Sequence, residues 1–475
     1  MEDRQFKRLG TFLAAWCAAL LLASCGGGSG SGGSAASTSG LAASASLAGM
    51  CTPQGEQRFI RSYLDEVYLW YREIPAVDAS LYTSLSSYFH ALLVTTRDAN
   101  GLPKDQFSFV VNAADADAFS TGVNVGYGVQ WKLDTLGRLR AALVSAGSPA
   151  DAAGITRGGQ LVKILERNVA SWYPNVAGAY TRFQYRDNPT AEIREITLNA
   201  RTVQENPVPL VSNLLTQRGQ SVGYVLFNDH SEGAQDKLIA ALQSVQSQGT
   251  RELVLDMRYN SGGYLYVAQA LASMVSGTSA NGRVFESLRY NDKRDADSRA
   301  GTFSFSSTVQ YPESVYPAGY AMPRLNLRRV YLLTSDETCS ASESVINGLR
   351  GVDVEVVLIG STTCGKPYGF TRKDNCGRAY FPIEFKGTNA KGFGDYSAGF
   401  APSCAAADDL DHALGQAGEG QLAIALRHID TGLCGAAQAR AFSPPAGQPE
   451  PSVHDAEGSR PPHGRLLRTP PLKAN

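Results

Sequence analysis

No HExxH motif and no paired CxxC occur in the 475 residues, and the six histidines are scattered. A resident metal needs ligands at such spacings, so neither a metal nor a cofactor is expected. A dominant basic cluster is also missing. The 43 Lys and Arg nearly balance 44 Asp and Glu, for a formal net charge of −1. Duplex binding rests on a patch of cations that releases counterions, so nucleic acid is not an expected partner. No GxSxG elbow marks a hydrolase serine.

What is present begins with a targeting pattern. A modestly basic start, MEDRQFKRLG, leads into the apolar run TFLAAWCAALLLAS. That run is shorter than the ~20 residues that span a bilayer, so residues 1–24 read as a signal peptide rather than a membrane anchor. LASC, Leu22 to Cys25, resembles a bacterial lipobox, which would make Cys25 a lipidated first residue. The expected location is the cell envelope, exported, periplasm-facing and lipid-anchored at Cys25. Residues 25–50 are rich in Gly, Ser and Ala and read as having nothing to bury, a tether reaching roughly 25–30 Å. At the other end, residues 437–475 hold eight of the 22 prolines. Without apolar periodicity they read as a disordered tail. Export makes disulfides the expected state of Cys51, Cys339, Cys364, Cys376, Cys404 and Cys434. The local pairs Cys364–Cys376 and Cys404–Cys434 are the simplest arrangement.

The body is α/β and multi-domain. Residues 51–118 read as a small N-terminal helical cap, because Phe59, Ile60, Tyr63, Leu64, Val67, Tyr68 and Trp70 follow a 3.6-residue rhythm. His90 reads as packed within that face, and the cap as carrying no chemistry. Residues 119–207 alternate like short strands around one short helix, as a partly closed β-barrel would. SAGSPADAAGI (145–155) and GGQLVKILERNVAS (158–171) resemble a PDZ domain, although Gln160 replaces that family's usual Asp. By that resemblance the loop Gly126, Tyr127, Gly128 and Val129 binds a C-terminal carboxylate through backbone N–H groups, and the adjacent strand edge accepts a peptide. Residues 208–436 alternate apolar strands with helices, which predicts a mostly parallel sheet with its chemistry at the strand ends.

Two stretches there carry chemistry. Gly360 to Lys366 spell GxxxxGK, but Pro367 follows in place of the P-loop hydroxyl and no helix pattern comes after it, so phosphate cradling is rejected. Ser340 follows a strand and opens the helix SASESVINGL. Such a serine is commonly only an N-cap worth about 1 kcal/mol. A nucleophile at the same point gains from the helix dipole but needs a base, and a lysine serves where burial brings its pKa from about 10.4 towards neutrality. His230 is the one histidine placed near a strand end.

LVLDMRYNSGGYLYVAQALAS, TCSASESVINGLRG and VVLIGSTTCGKPYGF, in this order after the PDZ-like segment, resemble the tail-specific, or C-terminal-processing, serine proteases. The resemblance covers roughly residues 119–435. It implies a Ser340 nucleophile, a Lys366 general base, and an oxyanion hole from the N–H of Ala341 and one from the Gly262–Gly263 loop. Polypeptides are then the implied substrates, selected by C-terminal or exposed tails. Ser342 is the competing nucleophile. Two departures stand out: Phe370 occupies the position of the family's usual Gln, and the serine-to-lysine interval is one residue longer than usual. A catalytically weak scaffold that binds protein C-termini is therefore the alternative function. Since Cys339 and Cys364 flank the dyad, a bridge pinning serine to lysine is the alternative pairing.

Overall fold

The computed structural model describes residues 40–169, 174 and 176–435. The expected signal segment 1–24, Cys25, most of the tether and the tail 437–475 lie outside them. Helix α1 (Ser44–Leu47) falls within the predicted tether and corrects its end. Leu47 is buried, and Glu66 accepts hydrogen bonds from the Ser44 N–H and hydroxyl, so the folded body starts before residue 44.

Helix α2 (Pro53–Val67) starts at Thr52, whose side chain accepts from Gly55 N–H, with proline at its first position. Its apolar stripe buries Phe59, Ile60, Tyr63 and Leu64. Helix α3 (Leu85–Ala91) sends Phe89 inward and leaves His90 exposed, against the expectation of a packed histidine; His90 Nδ1–H donates to Ser86 O within its own helix. Strand β1 (Phe109–Asn112) and helix α4 (Ala113–Thr121) complete this region.

The next strands are β2 (Val123–Gly126), β3 (Val129–Leu133) and β4 (Leu139–Val144). Helix α5 (Pro149–Ala152) precedes β5 (Gln160–Arg167), β6 (Tyr180–Arg186), β7 (Arg194–Asn199) and β8 (Arg201–Gln204). They form an open antiparallel sheet in the order β3-β4-β5-β6-β7 and a separate β2–β8 ribbon. The expected barrel is not closed among the described strands, because the segment's two ends pair with each other and leave β3 and β7 as sheet edges. Tyr127, Phe183, Tyr185 and Leu198 fill its core.

The third region comprises β9 (Leu210–Leu215), β10 (Ser221–Leu226), α6 (Ala234–Ser247), β11 (Glu252–Asp256), α7 (Leu265–Val275), β12 (Val284–Tyr290), α8 (Asp295–Ala300), β13 (Thr302–Ser304) and β14 (Arg329–Thr334). After it come α9 (Ala341–Gly351), β15 (Glu355–Gly360), β16 (Tyr368–Gly369), β17 (Lys373–Asn375), β18 (Arg378–Phe381), β19 (Phe385–Thr388), β20 (Cys404–Ala405) and α10 (Gly420–Thr431). Its main sheet runs β20-β15-β14-β11-β10-β9, parallel throughout except at β9. Side chains alternate across it. Leu255, Leu332 and Leu358 join α6, α7 and α9 on one face, while Val254, Leu333 and Ile359 meet Leu422, Ala425 and Ile429 of α10 on the other.

The N-terminal helices have no core of their own. Phe59, Leu64 and Phe89 belong to the same apolar cluster as Val345 and Phe381, and β1 pairs antiparallel with β18, Phe109 opposite Phe381. Disulfides add two long ties: Cys51–Cys376, 325 residues apart, and Cys404–Cys434. The expected Cys364–Cys376 bridge is absent. Cys376, in the β17–β18 turn, has been brought to Cys51 by the docking of the helical region. Cys364 is bonded instead to Cys339.

Candidate active site

Four loops leave the C-terminal ends of β10, β11, β14 and β15 and meet, as expected where ligands bind in parallel α/β sheets. The β14 loop delivers Ser340, which has φ +59° and caps α9. This left-handed geometry is unusual for a residue other than glycine and costs about 1–3 kcal/mol, a cost that clusters at functional positions. The side chain is fully buried, and its Oγ makes no hydrogen bond among the described residues. Ser340 therefore caps the helix by position while its hydroxyl remains unspent.

Glu343, one helical turn on, fills the capping role from the other side. Its Oε2 accepts the Ser340 N–H at 2.9 Å and also the Lys366 N–H at 2.8 Å. Its Oε1 accepts Gly365 N–H at 2.8 Å and the Thr363 hydroxyl at 2.6 Å. Burial raises this carboxyl above its usual range; donation from Thr363, Lys366, Gly365 and Ser340 only partly pulls it back. One carboxylate thus binds the backbone of the serine to the backbone of the lysine. The Cys339–Cys364 disulfide, Cα atoms 5.2 Å apart, fastens the same two loops covalently.

Lys366 is fully buried. The chain after it continues into strand β16, not into the helix a P-loop requires. Its Nζ lies 4.4 Å from the centre of the Phe370 ring and 5.1 Å from that of Phe107.

The β11 loop supplies the glycines. Gly262 and Gly263 have φ +104° and +133°, and a Cβ on Gly262 would lie 2.8 Å from Ser340 Cβ. Gly262 N–H is committed to Asn260 Oδ1 at 3.0 Å. The N–H groups of Gly263 and Ala341 have no acceptor among the described residues, which makes Gly263 the donor of that pair able to join Ala341. Asn260 fastens the loops together. Its Nδ2 donates to Phe227 O, and its carbonyl accepts Cys339 N–H and the Ser342 hydroxyl. With Oδ1 fixed as an acceptor, His230 Nδ1–H must donate to it at 2.9 Å. His230 is thus a buried member of this brace, and Ser342 spends its hydroxyl on Asn260.

The five-stranded antiparallel sheet abuts the serine loop. Gln130 Nε2 on β3 donates to Glu337 Oε2 at 2.6 Å, three residues before Ser340, and Lys132 Nζ lies 3.6 Å from the same oxygen. Behind it, Arg157 reaches Asp408 at 2.6 Å, which also pairs with the fully buried Arg258 at 2.9 Å. In the loop 126–129, Gly126 ends β2, Tyr127 turns its ring into the core with its hydroxyl on Thr181, Gly128 has φ +70°, and Val129 opens β3. The Tyr127 and Gly128 carbonyls accept Ala150 N–H and Ser145 N–H, and β3, which follows, is an edge strand of its sheet.

Sequence reading passed over Glu343, Asn260 and Phe107. The Ser-x-x-Glu spacing of a capping box was a usable signal for Glu343. Asn260 sits in the RYNSGG stretch that was recognised for its glycines. No local signal points to Phe107.

Residues 221–374 match Peptidase family S41, and residues 55–109 match the Peptidase S41 N-terminal domain. A carboxyl-terminal-processing protease of Picosynechococcus sp. is 27% identical over 254 residues, 52% of this chain and 54% of that protein. The carboxy-terminal processing protease CtpA of Bacillus subtilis is 22% identical over 275 residues, 57% and 54% respectively. The chain spans about half the length of these curated relatives. A crystal structure of a Bacteroides fragilis NCTC 9343 protein assigned to the S41 proteases superposes with a TM-score of 0.60 at 25% identity, covering 78% of this chain and 97% of that one.

Proposed function

We propose that this chain, which belongs to the S41, tail-specific protease family, is a serine endopeptidase that uses Ser340 and Lys366 as a dyad. The observation that carries the reading is the shared carboxylate. Glu343 joins the backbones of two fully buried residues, one with an unspent hydroxyl and one with an amine. Full burial costs an ammonium its hydration, which favours the neutral amine that a general base must be. In the reaction the Lys366 amine takes the Ser340 proton as Oγ bonds to the scissile carbonyl carbon, and the carbonyl electron pair moves onto oxygen. The N–H groups of Ala341 and Gly263 receive that oxyanion. The lysine then gives its proton to the leaving amine, and a water repeats the sequence to release the acyl group. Each oxyanion donor is worth about 10²–10³ in rate in comparable sites.

Substrate choice falls to the PDZ-like segment. An extended peptide added along the β3 edge, its terminal carboxylate at Gly126–Val129, lies beside the Glu337 loop that leads to Ser340. Polypeptides with accessible C-terminal tails are the proposed substrates. The lipobox-like LASC makes lipid attachment at Cys25, and hence residence on the periplasm-facing envelope, part of the proposal; Cys25→Ser should release the protein into the soluble fraction.

The test is casein cleavage by wild type beside Ser340→Ala, Lys366→Ala and Ser342→Ala. Loss in the first two and retention in the third is expected. If wild type were as inert as every variant, including on tailed peptides that bind, the scaffold alternative would replace this reading.

A further inference from the structure

Lys366 is the only residue of the proposed dyad whose functional group meets aromatic faces, and the two rings come from distant parts of the chain. Phe370 is fully buried and held edge-on by Phe109 at 5.4 Å and Phe381 at 5.3 Å, themselves stacked at 4.5 Å. Phe107 belongs to the N-terminal region and is seated with care. Asp105 Oδ1 accepts the N–H groups of Phe107 and Ser108, while Oδ2 accepts the hydroxyls of Tyr68 and Ser108. The β1–β18 pairing that starts at Phe109 then fixes this turn against the α/β region.

A ring face carries partial negative charge and attracts a cation within about 6 Å of its centre, most strongly where water is excluded. Both rings meet that distance. The attraction is absent for the neutral amine and appears when the lysine becomes an ammonium. During acylation that charge is created by proton transfer from Ser340 in a buried site, where it is otherwise costly. An interaction that strengthens only as charge develops lowers the barrier rather than the ground state.

We propose that Phe107 and Phe370 are positioning residues that act through Lys366, holding its head group and stabilising the positive charge it acquires in the reaction. The inference rests on the dyad reading. It also gives the N-terminal region a part in catalysis, where sequence had assigned it none.

The experiment replaces Phe370, and separately Phe107, with mono-, di- and trifluorinated phenylalanine in the full chain. Fluorine keeps the ring's shape and steadily removes the negative charge of its face. Kinetics are read on a quenched fluorescent casein, with Lys366→Ala alongside and thermal scans as a check on folding. The expected result is a graded fall in kcat, reaching roughly 10-fold for the trifluorinated ring at 370 and less at 107, with KM nearly constant. Packing alone would give no such gradient. A flat series with Lys366→Ala inactive overturns this inference and leaves the dyad standing. Activity retained in Lys366→Ala overturns the dyad reading, and this inference with it.

Discussion

Gly262→Ala is the sharpest steric probe of the site. An added Cβ would stand 2.8 Å from Ser340 Cβ, 2.9 Å from Cys339 O and 3.0 Å from Ala341 N. Two of the three neighbours are backbone atoms and the third is the Cβ of Ser340, the proposed nucleophile, so none can give way by turning a side chain. Relief requires moving the serine by something near 1 Å relative to the glycine loop, a shift that typically costs about 10²-fold in rate. The φ of +104° adds backbone strain of about 1–3 kcal/mol in a non-glycine residue. Gly249→Ala supplies the control: it has φ +67° but nothing within 4 Å, so it carries strain without a clash. The assays are kcat/KM on casein, the rate of Ser340 labelling by a fluorophosphonate, and thermal stability. Gly262→Ala should lose about 10²-fold or more in both rates, whereas Gly249→Ala should lose a little stability and keep its activity. A Gly262→Ala protein within threefold of wild type would refute the close approach of the two loops as the element that positions Ser340.

Two further outcomes follow from the braces. Glu343 sits above its usual carboxyl range because burial outweighs its four donors, so its contribution to stability is complete below pH 4.5 and is lost as pH rises through its folded value. Melting temperature of the wild type should therefore decline above pH 4.5, and Glu343→Gln should flatten that decline. It should also slow casein cleavage by about 10-fold or more, because the amide cannot accept on both sides; an unchanged pH profile of stability would count against a buried, charge-strained carboxylate. Reduction of Cys339–Cys364, or the Cys339→Ser/Cys364→Ser pair, opens a link spanning 25 residues. The chain-entropy account puts that at about 3–4 kcal/mol, so the melting temperature should drop and Ser340 labelling should slow, with unchanged labelling excluding the pinning role.

Much of the α/β core was legible because a parallel sheet covered on both faces writes its strands as apolar runs. SVGYVLF, ELVLD, RVYLLT and VEVVLIG all became β10, β11, β14 and β15, and the motif residues fell on the loops that follow them. The features that escaped depend on contacts between distant residues. Cys376 is 12 residues from Cys364 but pairs with Cys51, because that choice is made by the docking of the helical region, not by spacing. Leu47 looks like tether until Glu66 offers Ser44 an acceptor. His90 obeys the helical rhythm only approximately, and one residue's rotation puts Phe89 inside and leaves the histidine in water. The open sheet could not be told from a barrel, since alternation reports that a strand has two faces and not whether its edge is paired.

The site divides its bonding between backbone and reacting groups in a way that bears on how it works. Glu343, Asn260 and the Cys339–Cys364 bridge all act on backbone atoms or on residues next to the dyad. They spend none of the Ser340 hydroxyl, and two N–H donors at the glycine loop and helix start are likewise unspent. An unspent buried hydroxyl or N–H costs about 1–3 kcal/mol in the resting protein. On the dyad reading proposed above, a scissile carbonyl oxygen that takes both N–H groups would relieve the cost of those two donors. At the start of α9 it is therefore the Glu343 carboxylate that takes the Ser340 N–H, while the serine hydroxyl stays uncommitted.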